Sequence, residues 1–198
     1  MSQSPSDQSV SSQPPQPSGR EIDTDVLIVG GTTGGVAAAI ACAAVGVRFV
    51  LVESTDWLGG QLTAQGVPPD ENKWIEDVGG TRTYQRLREA VRALTLARGA
   101  SRREVEPFGA FNPGGGWVSR CCAEPRLFAE LLGQSFGRDA WHGQTARPAD
   151  SFEILMDLKA AKADVVGDSV RAVSFIGCGA ANTDQLVTVT AKFIIDAT

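Results

Sequence analysis

Gly30-Gly31-Thr32-Thr33-Gly34-Gly35 lies between an apolar run and a helix-forming segment of small residues. Val26-Leu27-Ile28-Val29 is short and continuously apolar, as suits a parallel strand buried on both faces. A glycine-rich turn at that point lets the backbone pass close to a ligand, and the following helix aims its free amides and the positive end of its dipole at the same place. Ala39 and Gly46 are small where helix and strand must pack tightly. Arg48-Phe49-Val50-Leu51-Val52 predicts the second strand, and Glu53 ends it. An acid about twenty residues beyond such a turn can accept hydrogen bonds from ribose hydroxyls, so the pattern predicts a site for the pyrophosphate and ribose of a dinucleotide. A carboxylate there repels a 2′-phosphate, which disfavours an NADP-type ligand. Thr32 occupies the middle glycine position, where its side chain either crowds the pyrophosphate or donates a hydroxyl to it.

A second glycine pair follows the acid in Trp57-Leu58-Gly59-Gly60-Gln61-Leu62-Thr63-Ala64-Gln65-Gly66. Together the two segments resemble the two-dinucleotide-binding-domain flavoproteins, and specifically the FAD-dependent oxidoreductase family, whose members carry an acid followed by Leu-Gly-Gly-Gln-Leu-Thr. The resemblance continues through Asn112 to Arg120, through Glu124-Pro125-Arg126, and through Phe193-Ile194-Ile195-Asp196-Ala197-Thr198. It implies an α/β chain with an FAD/NAD(P)-binding Rossmann-like fold, a parallel sheet and a three-stranded β-meander, with FAD as cofactor. It implies that Gly30, Thr32, Thr33 and Gly35 hold the pyrophosphate, that Gly31 and Gly34 also belong to the cofactor site, and that Glu53 holds the ribose. Gly59, Gly60 and Gln61 then fall on the flavin side, and the backbone near Ala160 flanks the adenine. Arg120 is a candidate for an anionic substrate or for the flavin ring; a surface or phosphate-pairing arginine is the alternative reading. In the family a Gly-Asp pair follows Asp-Ala-Thr and holds the ribityl chain, so the resemblance also implies that this group and the substrate pocket come from a C-terminal region or a partner chain. No catalytic residue is assigned. A non-catalytic dinucleotide-binding or partner-binding module is the alternative to an oxidoreductase acting on a small molecule.

With 198 residues the chain suits one core, expected over 23–198 and preceded by a disordered tail at 1–22, whose Ser, Gln and Pro leave little to bury. A net charge of −5 argues against nucleic acid, which needs a basic face. No apolar run reaches the ~20 residues needed to cross a bilayer. Cys42, Cys121, Cys122 and Cys178 show neither CxxC spacing nor a disulfide framework, so a reducing, cytoplasmic setting is the default. The single histidine, His142, excludes a histidine-rich metal site and reads as a loop residue.

Tyr84, Leu87, Val91 and Leu94 recur at helical spacing, Arg82, Arg86, Arg88 and Arg92 read as the solvated face, and Gly99 ends that helix. The glycine-rich and aromatic stretch Ala100 to Ser119 reads as a long loop. Pro125 opens a helix whose buried stripe is Leu127, Phe128, Leu131, Leu132 and Phe136. Phe152–Met156 predicts a third parallel strand, and Leu158–Val166, Ser169–Ile176 and Gln185–Phe193 predict the meander.

Overall fold

The computed structural model describes residues 19–99, 111–136, 152–180 and 183–198. Most of the expected tail, Phe108 and His142 lie outside the described residues.

Strand β1 (Arg20–Val29) feeds the glycine turn, α1 (Thr33–Val45) crosses over, and β2 (Phe49–Val52) returns parallel to β1 with Val26 opposite Phe49 and Val29 opposite Val52. Helix α1 is capped by the Thr32 hydroxyl, which accepts from the Gly35 amide, and closes on Gly46 in the left-handed region at φ 74°. Among the described residues, three helices follow: α2 (Gln61–Ala64), α3 (Arg82–Ala97) and α4 (Pro125–Gly133). Strand β3 (Phe152–Leu155) then pairs parallel to β2. The chain continues as the antiparallel run β4 (Leu158–Val166), β5 (Ser169–Gly177) and β6 (Leu186–Asp196). Strand β6 is longer than expected and runs parallel beside β1, from Arg20 opposite Val187 to Val29 opposite Asp196. The sheet order is β3-β2-β1-β6-β5-β4. Because β1 begins at Arg20, residues 20–22 belong to the sheet and not to the tail that composition assigned to them.

Two apolar layers explain why the parallel strands carry no polar alternation. Val26 and Ile28 of β1 and Phe49 and Leu51 of β2 pack against Val36, Ala39, Ile40 and Ala43 of α1 and Phe128 and Leu131 of α4. Their neighbours Leu27, Val50, Val52 and Leu155 face the other way, onto Val173, Phe175, Val187 and Val189. The meander thus covers the second face of the parallel strands, where a crossover helix would otherwise lie. Phe49, Phe136 and Phe152 close the first layer, with the Phe49 and Phe152 rings stacked 5.4 Å apart.

The arginine face of α3 corrects the sequence expectation. Arg82 is exposed, but Arg88 is 1% exposed, the largest of the fully buried side chains. Its guanidinium pairs with Glu71 and Glu76, both from the segment before the helix. Arg92 donates to Glu76 Oε1 at 2.7 Å, to the Phe111 carbonyl at 2.8 Å and to the Arg120 carbonyl at 3.0 Å. The Tyr84 hydroxyl and Ser119 Oγ both donate to Glu71. Burial is the largest single influence and works against the Arg88 charge, but Glu71, Cys121 and Glu76 together outweigh it and hold the group above its ordinary pKa. Burial and the bond to Glu71 push the Tyr84 hydroxyl well above its usual range, and burial lifts the Cys121 thiol to about 11. These pairs fasten the segments before α3 and before α4 to one helix. Removing a buried partner leaves charge uncompensated, so Arg88→Met is expected to destabilise the chain by about 3–5 kcal/mol in urea unfolding. Arg82→Met, on the exposed side, is expected to change stability by less than about 0.5 kcal/mol.

Candidate functional site

Each glycine of the first turn answers a different constraint. Gly30 has φ 105°, and a Cβ there would lie 2.5 Å from the Ala197 carbonyl oxygen. A Cβ on Gly31 would fall 2.5 Å from the Leu58 side chain and 3.1 Å from Glu53 Oε2. On Gly35 it would fall 1.9 Å from the Gly30 carbonyl oxygen, so only a glycine lets α1 start this close to β1. Gly34 differs: a Cβ there would meet nothing nearer than Thr32 Oγ1 at 3.8 Å. Packing does not require a glycine at this position, yet it borders a cavity at the start of α1.

The Thr32 side chain is engaged within the protein itself. Its hydroxyl donates to the Ala197 carbonyl at 2.7 Å while accepting from the Gly35 amide, so it ties the turn to the end of β6. The second glycine pair is zipped to the first: the Gly59 amide donates to the Gly31 carbonyl at 2.7 Å, and Thr33 Oγ1 donates to the Gly59 carbonyl at 2.8 Å. Gly59 and Gly60 both have positive φ, 115° and 52°. A Cβ on Gly59 would lie 2.7 Å from Leu132 and Thr63, and one on Gly60 would lie 3.1 Å from Thr32.

Two adjoining cavities result. One, of about 640 Å³, is lined by Thr32, Thr33, Gly34, Gly60, Gln61, Ala64, Gln65 and Thr198. The other, of about 230 Å³, is bordered by Gly30, Glu53, Ser54, Thr55 and Trp57 and shares Thr32, Gly60, Ala64 and Thr198 with the first. The first-turn amides of α1 have no intrahelical acceptor, and they open beside the larger cavity. Bare backbone at Gly34, a helix N-terminus and a carboxylate one cavity away match what a diphosphate joined to a sugar needs.

Glu53 is 8% exposed. Its Oε2 accepts from the Gly31 amide at 2.7 Å; its Oε1 accepts from the Thr55 amide at 2.8 Å, Thr55 Oγ1 at 2.9 Å and Ser54 Oγ at 3.2 Å. Its own backbone is pinned by the β3–β4 connection, donating to Leu155 and accepting from Leu158. Asp157, the one non-glycine with positive φ among the described residues, makes that connection and donates to the Thr55 carbonyl.

Of the residues singled out in the sequence, Gly30, Thr32, Thr33, Gly34, Glu53, Gly60 and Gln61 line these cavities, while Gly31, Gly35 and Gly59 pack behind them. Ala160 is an exposed residue of β4 opposite Phe175, and Arg120 sits in the segment held by Arg92; neither lines the two cavities. The sequence pattern assigns no role to Ser54, Thr55, Trp57, Ala64 and Gln65, which also line these cavities; their closeness in sequence to Glu53 and to Gly59-Gly60 is the available signal. Among the described residues no group of three His, Cys, Asp or Glu side chains could hold a metal ion.

The sequence model of the family described as FAD dependent oxidoreductase matches residues 25–198. The chain belongs to that family. Its cofactor is FAD, and the cavities fit such a group through the bare Gly34 backbone and the Glu53 carboxylate. No curated protein matches the chain. Among solved structures, it is similar to L-proline dehydrogenase from P. horikoshii, with 17% identity and a TM-score of 0.43 over 90% of this chain and 23% of that one. It is similar to a geranylgeranyl bacteriochlorophyll reductase-like protein from Thermoplasma acidophilum, with 17% identity and a TM-score of 0.48 over 89% of this chain and 39% of that one. The myxobacterial chondrochloren halogenase CndH gives 13% identity and a TM-score of 0.48 over 89% and 37%. The chain therefore spans well under half the length of each of these three proteins.

The glycines make a sharp pair of tests. Gly35→Ala is expected to abolish folding, seen as loss of the native circular dichroism spectrum. Gly34→Ala is expected to leave the melting temperature unchanged or raise it, since alanine suits a helix better. The same variant should weaken FAD binding by about tenfold or more through loss of charge-assisted backbone contacts, read by calorimetry.

Proposed function

We propose that residues 20–198 form the FAD-binding portion of an oxidoreductase that passes hydride or electrons through the flavin between a small-molecule substrate and an acceptor. The observation that carries this reading is the juxtaposition of the open Gly34 backbone at the start of α1 with the Glu53 carboxylate across two adjoining cavities. In this reading Thr33, Gly34 and Gly60 bind the diphosphate through backbone amides, while Gly30, Gly31, Thr32, Gly35 and Gly59 hold those amides in place. Glu53 accepts from ribose hydroxyls, Gln61 lies toward the flavin, and the backbone near Ala160 flanks the adenine. FAD when bound supplies the two-electron chemistry; the residues of this chain bind and orient it.

Arg120 is proposed to face the substrate or the flavin ring. The support is the buried arginine–carboxylate cluster, which fixes the Arg120 backbone through Arg92. The substrate pocket is proposed to come from a further region or from a partner chain, because the chain spans 23–39% of the three proteins compared above. The tail is proposed to end near the start of β1. A cytoplasmic setting belongs to the same reading, supported by four cysteines that stand as free thiols. No helix among the described residues is long and apolar enough to cross a membrane.

Purified protein reconstituted with FAD is expected to show the flavin absorption bands after desalting. Glu53→Ala should weaken FAD binding by about 1–3 kcal/mol, the scale of a lost charged hydrogen-bond partner. A protein that stays colourless and gives no heat with FAD would instead favour a non-catalytic binding module.

A further inference from the structure

The Thr55 hydroxyl stands between two acceptors. It lies 2.9 Å from Glu53 Oε1 and 2.9 Å from the Trp57 carbonyl, and it accepts from the Trp57 amide at 3.2 Å. A hydroxyl carries one hydrogen, so it can serve one of the two acceptors at a time. Glu53 Oε1 is also crowded: the Thr55 amide, Thr55 Oγ1 and Ser54 Oγ converge on an oxygen that offers two lone pairs. A ligand hydroxyl that donates to Oε1 must displace one of the three. The Thr55 amide is held in place by its chain, because the Thr55 carbonyl is bonded to the Asp157 amide. Of the two hydroxyls, Ser54 Oγ has Glu53 Oε1 as its protein acceptor, whereas the Thr55 hydroxyl has a second acceptor at equal distance and yields without being left unpaired.

We propose that Thr55 is a positioning residue that couples occupancy of the Glu53 carboxylate to the seat of Trp57. When a ribose hydroxyl takes its place on Oε1, Thr55 turns its hydroxyl fully onto the Trp57 carbonyl and fixes Trp57 at the edge of the smaller cavity. Trp57 is half-buried and borders that cavity together with Glu53, Ser54 and Thr55, so it lies where an adenosine group on Glu53 would come to rest. The ligand class is the ribose diol of an adenine nucleotide. The inference rests on the FAD reading above and adds to it the residue that senses the sugar.

The test uses the full chain with ADP, which does not absorb at tryptophan emission wavelengths, and reads tryptophan fluorescence at ADP concentrations that calorimetry shows to saturate each protein. Wild type and Thr55→Ser are expected to show the same ADP-dependent change in emission. Trp57→Phe should remove that change, identifying the reporter among the four tryptophans. Thr55→Val, which keeps the shape but has no hydroxyl, should lose the change at full occupancy; Thr55→Ala serves if the valine variant does not fold. An undiminished change in Thr55→Val or Thr55→Ala, or its survival in Trp57→Phe, would overturn the proposal while leaving the cofactor reading intact. Failure of wild type to bind either ADP or FAD would overturn both.

Discussion

One carboxylate holds the front of this molecule together. Glu53 reaches from the end of β2 to the Gly31 amide in the first turn, while its backbone exchanges bonds with the β3–β4 connection. Three chain segments far apart in sequence therefore meet at a group that is almost wholly buried. A buried carboxylate is tolerated only when hydrogen bonds replace its water, and here two backbone amides and two hydroxyls do so. The same inward set of donors pre-orients the group that the family reading gives to the ribose. In the proposed reading, a ribose hydroxyl exchanges one of these hydrogen bonds for another, with no bare charge to uncover.

The glycines divide the work between architecture and ligand. Gly30, Gly31, Gly35 and Gly59 are confined by the protein itself, with backbone or side-chain atoms where a Cβ would stand. Thr32 in the middle position spends its hydroxyl on the end of β6, so that strand, turn and helix share one knot. Of the glycines in the first turn, only Gly34 leaves space that packing does not claim. A motif that looks devoted to a phosphate is, residue by residue, mostly a device for bringing two backbones within contact.

The buried arginines of α3 fasten a second part of the chain. An isolated buried guanidinium is costly, and Arg88 is offset by two carboxylates while Arg92 is shared between a carboxylate and two carbonyls. The reward is positional: segments without regular structure, around Glu71 and around Ser119, are held to a helix by directional bonds that apolar contacts would not supply.

Local chemistry made much of this legible in the chain. Strand, glycine turn, small-residue helix and terminal acid are specified by sterics and period over some thirty residues, so β1, α1, β2 and Glu53 follow from the residues alone. The meander follows from its alternating runs and turn residues, and Pro125 marks the start of α4 for the same local reason. What only the tertiary structure decided are pairings across long separations. Helical spacing set Arg88 on the polar side of α3, but the acids that bury it lie 17 and 12 residues away in a segment with no period to read. The partner of the Thr32 hydroxyl lies 165 residues away at Ala197, and the full length of β6 is set by pairing with β1. Local sequence can fix a backbone conformation because sterics act between neighbours. It cannot name a buried polar group's partner, because that partner is chosen only when desolvation forces distant segments to satisfy each other.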